Sequence, residues 1–257
     1  MAVQIFASDL DGTLLNKESE ISVETVRAIE TAQKAGIRFI AATGRAWGTA
    51  HPFFQKAGIE TDYVLLNGAE FRTSSGTVIY QEIIPENVAE KIVGYLSEEG
   101  IDFEINTDKG DFSTDTEMCP SASDFPDPVE FWKQEPKILK IFVFSDEPAI
   151  IEKVKSYLRD WKEISVTSSA GWNIEITALS AQKGRMLKKA VEFYQVSTDE
   201  VVVFGDGEND KTMFLEFPHS RAVANAVPAI QSLAEKVIES NQNNGVAKEI
   251  YRIVGGL

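Results

Sequence analysis

The chain has 257 residues, enough for two modest domains, and its 43% hydrophobic and 25% charged residues are the balance of a folded globular protein. A formal net charge of −15 argues against nucleic acid or an anionic membrane as the main partner, so an anionic substrate would need a local cluster of positive groups. The single cysteine, Cys119, excludes an intrachain disulfide; no stretch is apolar enough to span a membrane, and MAVQIFASDLDG lacks the basic and apolar regions of a signal peptide, so a cytoplasmic location is expected.

The first third alternates strand and helix. VQIFAS (3–8) is a short apolar run ending on two aspartates. Residues 22–36 have helical spacing at Val23, Val26, Ile29 and Ala32, with Ser22 placed as the N-cap and Gly36 as the stop. IRFIAATG (37–44) reads as a buried strand, 47–57 as a helix stopped by Gly58, and YVLLNG (63–68) as a third strand. This order predicts a parallel sheet covered on both faces. A hairpin is expected around Ser74-Ser75-Gly76.

The middle has a different pattern. Helices are predicted over 85–100 and 147–161, strands over 101–106 and 137–145, and a hairpin from 164–169 and 172–177. These describe a second α/β unit whose antiparallel sheet has one exposed face. The Pro-, Asp- and Ser-rich segment 107–136 is long for a loop and is expected to hide a short helix at PVEFWKQ (128–134). Its Phe112, Met118, Phe125 and Trp132 are expected to pack this unit. The last third returns to the first pattern. A helix over 181–194 is capped by Ser180, a buried strand over 200–207 again ends on an aspartate, and a helix runs over 229–237. The fold class is therefore α/β, a Rossmann-like doubly wound parallel sheet with an inserted α/β domain. Residues 1–82 and 180–257 form the core, and 83–179 the insert.

Three predicted strands end in short polar motifs, DLDGT, ATGR and GDGEND, and open α/β sheets bind ligands beyond the carboxyl ends of their strands. Asp9 and Asp11 are spaced to share one face, and Gly12 permits a tight departure. Two close carboxylates that stay ionised require a cation beside them. Asp206 and Asp210 offer further oxygens, a donor set that suits magnesium. Thr43, Gly44 and Arg45 present a hydroxyl, N–H groups and a guanidinium, which grip phosphate oxygens. Lys183 stands in the first turn of a helix, where a cation is unfavourable unless an anion lies between it and the helix. Taken singly, DLDG also fits a solvated turn, TGR a polar loop and Lys183 a surface residue.

In their order and spacing, DLDGT, ATGR, Lys183 in SAQKG, and GDGEND resemble the four motifs of the haloacid dehalogenase-like (HAD) superfamily. The insert between the second and third motifs, WNIEIT (172–177) and NQNNGVAKEI (241–250) resemble its Cof-like subfamily of sugar-phosphate phosphatases. The resemblance implies a magnesium-dependent phosphatase of small phosphorylated metabolites, with Asp9 as the nucleophile that becomes an aspartyl-phosphate. Asp11 would protonate the leaving alcohol and then deprotonate water. Thr43, Arg45 and the N–H groups of Leu10 and Gly44 would hold the phosphoryl oxygens, and Lys183 would neutralise charge between Asp9 and phosphate. Asp206, the Asp9 carboxylate and the Asp11 backbone carbonyl would hold Mg2+. Asp210 would hold a metal-bound water, and Asn209 would touch Lys183 or substrate. The insert would be a cap that selects substrate. An aspartate at position 11 favours a phosphatase or a phosphomutase over a dehalogenase. A phosphomutase, or a non-catalytic phospholigand-binding protein, is the alternative. A monomer or small homo-oligomer is expected. Lys211 departs from the apolar residue usual after this last motif.

Overall fold

In the computed structural model, which describes residues 3–168 and 170–255, the chain separates into two units. One runs up to Tyr80 and resumes at Gln182, and the other is Gln81–Ala181. In chain order the first contributes β1 (Ile5–Ser8), α1 (Val23–Lys34), β2 (Arg38–Ala42), α2 (Trp47–Ala57), β3 (Asp62–Leu65), β4 (Glu70–Arg72) and β5 (Val78–Gln81), the last ending at the boundary. The second contributes α3 (Glu86–Glu98), β6 (Phe103–Thr107), β7 (Gly110–Ser113), β8 (Ser123–Asp124), α4 (Pro128–Trp132), β9 (Ile138–Phe144), α5 (Pro148–Leu158), β10 (Ile164–Thr167) and β11 (Asn173–Ala178). The first then resumes with α6 (Lys183–Phe193), β12 (Val201–Gly205), α7 (Lys211–Glu216), β13 (His219–Val223), α8 (Pro228–Leu233), β14 (Lys236–Ile238) and α9 (Gly245–Val254). No helix among the described residues is long and apolar enough to cross a membrane.

The first unit is built on a sheet ordered β14-β13-β12-β1-β2-β3-β4-β5, parallel from β14 to β3. Every residue of β1, β3 and β12 is buried, as strands covered on both faces require. β1 lies between β12 and β2, with Ile5 opposite Val201 on one side and Arg38 on the other. The Ser22 hydroxyl accepts from the Thr25 N–H at 3.1 Å and caps α1 as expected. The buried stripe of α1 is Thr25, Ala28, Ile29 and Ala32 rather than the expected row, and Val23 is exposed. The small side chains of that stripe suit a helix packed against α9 as well as β2.

Two expectations for the last third are corrected. Ser180 does not cap α6. The helix begins at Lys183 with Gln182 at the cap position and no capping side chain, while the Ser180 hydroxyl donates to the Glu82 carboxylate. The helix predicted over 229–237 is α8 followed by a strand: Ala234 turns extended, and Lys236–Ile238 pair with β13 as the sheet edge. Lys211 is the first residue of α7 and exposed, which explains why a charge is tolerated there.

A buried ion network ties β13, β14 and α9 together. Arg221 Nε lies 2.8 Å and Lys236 Nζ 2.7 Å from the Glu249 carboxylate, which also receives both guanidinium arms of Arg252 at 2.8 Å. Burial alone would push Glu249 up, but the Arg252, Lys236 and Arg221 hydrogen bonds hold it down at about 2. A depressed carboxyl stabilises the fold above its unfolded value near 4.5 and loses that contribution as pH falls through the folded one. Glu249→Gln should therefore cost about 2 kcal/mol at pH 7 by denaturant titration. The gap from wild type should shrink as pH falls from 4.5 towards 2; a gap independent of pH would contradict this assignment.

The second unit carries a sheet ordered β10-β11-β9-β6-β7-β8, antiparallel except between β7 and β8. Alternation places Phe103, Ile105, Ile141, Val143, Ile174 and Ile176 in one core with Ile92 and Leu96 of α3 and Val154 of α5. Phe112, Phe125 and Trp132 pack against this core, while Met118 is exposed. The opposite sheet face is not exposed as expected: Asn106, Lys140, Glu175 and Thr177 are buried there alongside Phe144, with Lys140 Nζ 2.7 Å from Glu175 Oε2. Segment 107–136 holds β7, β8 and the expected short helix, α4, capped by the Asp127 side chain. The predicted hairpin forms between β10 and β11, and Ser169, in its first predicted strand, lies outside the described residues. Cys119 is buried, and burial with the Glu104 hydrogen bond pushes its thiol up to about 12, leaving it unreactive.

Candidate active site

Because β12, β1 and β2 are adjacent and parallel, their carboxyl ends open on one edge of the sheet, and Asp206, Asp9 and Thr43 directly follow the three strands. The Asp9 N–H still donates to Phe204 O at 3.0 Å, so Asp9 is anchored as the last residue before the chain departs. Leu10–Leu14 form one irregular turn, closed by Leu15 N–H donating to Leu10 O at 2.9 Å. Gly12 turns the chain with φ +83°, and a Cβ there would lie 2.3 Å from Asp206 Oδ2, so only glycine permits both the turn and the approach of that carboxylate. Thr13 Oγ1 donates to Asp206 Oδ1 at 2.8 Å, and Asn225 Nδ2 to Gly12 O at 2.7 Å.

Lys183, the first residue of α6, is fully buried. Its ammonium lies 2.6 Å from Asp9 Oδ1 and 2.7 Å from Asp210 Oδ1. The other Asp210 oxygen accepts from the Asp206 and Gly207 N–H groups at 2.9 and 3.0 Å, fixing that loop around the lysine. Burial alone would push the Lys183 ammonium down, but Asp210 and Asp9 outweigh it and hold it above its ordinary value. Burial raises Asp9 well above the carboxylate range against the pull of Lys183, and Asp210 and Asp206 raise it further. Asp206 is raised by burial and by Asp210.

Asp9, Asp206 and Asp210 offer oxygens within 4.8 Å of one another. Three carboxylates share one ammonium, so the cluster carries excess negative charge in a largely buried place. A hard divalent cation held by carboxylate oxygens fits that donor set and offsets the charge. The Asp11 carboxylate lies outside this trio. It is half exposed and takes both arms of Arg45, Nε at 2.7 Å and Nη2 at 2.6 Å. The two aspartates of DLDG thus hold different partners, because the chain has already left the strand at Asp11. Arg45 also lies over the Phe53 ring at 5.0 Å, and its N–H donates to the buried Thr43 hydroxyl at 3.1 Å.

The structure gathers Asp9, Leu10, Asp11, Thr43, Gly44, Arg45, Lys183, Asp206, Asn209 and Asp210 in the loops at this sheet edge and the start of α6. The lysine partner is Asp210, whereas Asn209 Nδ2 donates to Asn67 Oδ1 at 3.1 Å. Sequence reasoning missed Thr13, Asn67 and Asn225. The available signal for Asn67 was that a fourth parallel strand, β3, is also followed closely by a polar step, Asn67-Gly68. His51 is a packing residue, stacked on Trp47 at 4.3 Å with Nδ1 3.1 Å from the Tyr63 hydroxyl.

A parallel sheet whose central strand ends in a carboxylate held by a buried lysine agrees with the resemblance of the four motifs to the HAD superfamily. The profile of the haloacid dehalogenase-like hydrolase family matches residues 6–250, and the chain belongs to that family. It is 28% identical, over 99% of both chains, to 5-amino-6-(5-phospho-D-ribitylamino)uracil phosphatase YwtE of Bacillus subtilis. It is 26% identical to pyridoxal phosphate phosphatase YbhA of Escherichia coli over 98% of both. Among solved structures, TM0651 of Thermotoga maritima superposes with a TM-score of 0.87 at 26% identity, covering 97% of each chain.

Proposed function

We propose that the protein is a magnesium-dependent phosphatase that hydrolyses small phosphorylated metabolites, sugar phosphates first among them, through an aspartyl-phosphate. The enzyme is in this reading a phosphoric monoester hydrolase, as the phosphatase relatives support. The observation that carries it is the buried Lys183 holding Asp9 beside Asp206 and Asp210. Asp9 attacks phosphorus, and the ester P–O bond breaks as Asp11 gives its proton to the leaving oxygen. Asp11 then takes a proton from the water that attacks the aspartyl-phosphate, which releases orthophosphate and restores the Asp9 carboxylate. Arg45, now bidentate on Asp11, exchanges that carboxylate for phosphoryl oxygens and frees Asp11 for proton transfer. Thr43 and the N–H groups of Leu10 and Gly44 complete the grip, with Asn209 at its edge. Asp9, Asp206 and the Asp11 backbone carbonyl would hold Mg2+, with Asp210 behind them, and the ion would supply charge neutralisation.

The test is orthophosphate release from a panel of aryl phosphates, sugar phosphates and the two phosphate esters named for the relatives. Release with magnesium and its loss with chelator are expected. No release from any member, or release unaffected by chelator, overturns the reading. Magnesium at a hundredfold its Kd should also stabilise the wild type by about 2.7 kcal/mol, and Asp206→Asn should abolish that shift.

A further inference from the structure

Asn67 belongs to none of the four motifs, yet the chain is bent out of its ordinary conformations to place it. Immediately after β3, Leu66 and Asn67 both adopt left-handed backbone angles, φ 52° and 56°. Two successive non-glycine residues seldom do so, and such conformations persist where the surroundings over-determine them. Here the surroundings are the loop after β2. The Leu66 N–H donates to Arg45 O and the Asn67 N–H to Thr43 O, both at 3.1 Å.

The side chain continues the connection. Asn67 is 93% buried, and its Oδ1 accepts from Asn209 Nδ2 at 3.1 Å in the loop after β12. A Cβ on Gly44 would stand 2.9 Å from the same oxygen, so Gly44 leaves the space that the amide fills. The Thr43–Arg45 and Asp206–Asp210 loops follow strands that flank β1 on opposite sides, and Asn67 reaches both.

We propose that Asn67 is a positioning residue that fixes the Thr43–Arg45 loop against Asn209, and so sets the width of the grip around a tetrahedral oxyanion. The inference rests on the phosphatase reading, in which those two loops hold the phosphoryl group. Asn67 need not touch the substrate to act in this way.

Asn67→Gly is the informative variant, because glycine keeps the left-handed backbone while removing the side chain that makes the connection. Its melting temperature should stay within a few degrees of wild type. Orthophosphate binding, read by calorimetry with magnesium present, should weaken about tenfold, and KM should rise similarly while kcat falls by less than about threefold. Asn67→Gly with Asn209→Ala should bind orthophosphate no more weakly than the weaker single variant, because both remove one connection. Should Asn67→Gly fail to fold, Gly44→Ala serves instead. Its methyl displaces the amide while keeping the backbone N–H, and the same tenfold loss is expected. Orthophosphate binding within twofold of wild type in the folded variant, or a double variant showing the product of the single effects, overturns the proposal. If wild type itself binds no orthophosphate and releases none from the substrate panel, the phosphatase reading has failed. If wild type does both and Asn67→Gly matches it, only the role of Asn67 has failed.

Discussion

Replacing Asp9 with asparagine is expected to reduce turnover by at least about 10³-fold while the protein stays folded, because the substitution removes the nucleophile and the charge of one proposed Mg2+ ligand but keeps the side chain's shape. The amide oxygen can still accept from Lys183, whose ammonium lies 2.6 Å away in the wild type. The variant also relieves a real cost. Burial, with Asp210 and Asp206 nearby, opposes ionisation of this carboxyl, so a neutral isostere of the same shape removes one like charge from a crowded place. The melting temperature should therefore lie within a few degrees of wild type. Mass spectrometry of acid-quenched wild type with substrate should detect a phosphoryl adduct on Asp9, and the variant should show none. Wild-type turnover in Asp9→Asn would defeat the nucleophile assignment, whatever the adduct experiment gave.

Lys183→Met should have the opposite balance, a large loss of stability as well as of activity. Methionine fills a comparable volume but cannot donate. Asp210, fully buried, would lose its 2.7 Å partner, and Asp9 its 2.6 Å partner. Breaking a buried ion pair from one side costs about 3–5 kcal/mol, because the remaining charge has nowhere to go. For a chain of this size that is a fall in melting temperature of roughly 6–20 °C. Lys183→Met with Asp210→Asn should regain part of that stability and none of the activity. A Lys183→Met protein as stable as wild type would mean that the carboxylates are already compensated in another way.

The site was legible in the sequence because its chemistry is concentrated at strand ends, and the end of a buried strand is marked by an abrupt change from apolar to polar residues. DLDGT, ATGR and GDGEND show that change within one or two residues. Lys183 was legible for a related reason, as a cation in the first turn of a helix is anomalous without an anion. What failed was whatever depended on a distant partner. Ser180 satisfied the local rule for a cap, but its hydroxyl is taken by Glu82. The edge strand β14 is only three residues long and directly follows α8, so Lys236–Ile238 read as the tail of a helix. The exposed face expected for the second sheet holds buried Lys140 and Glu175, and an ion pair across two strands leaves no periodic signal. Asn67 was passed over because Asn-Gly at a strand end is ordinary turn chemistry, and its contact with Asn209 spans 142 positions.

The place of β1 between β2 and β12 also dictates an order of events during synthesis. Val201, which faces Ile5 across the sheet, leaves the ribosome roughly 200 residues later, about 10–40 s at ordinary elongation rates. Until then a strand that the finished sheet buries along its whole length has one edge without a neighbour. Every strand of the second sheet, by contrast, is available once Ala178 has been made. The middle of the nascent chain can therefore finish its sheet while the earlier segment still waits for its own.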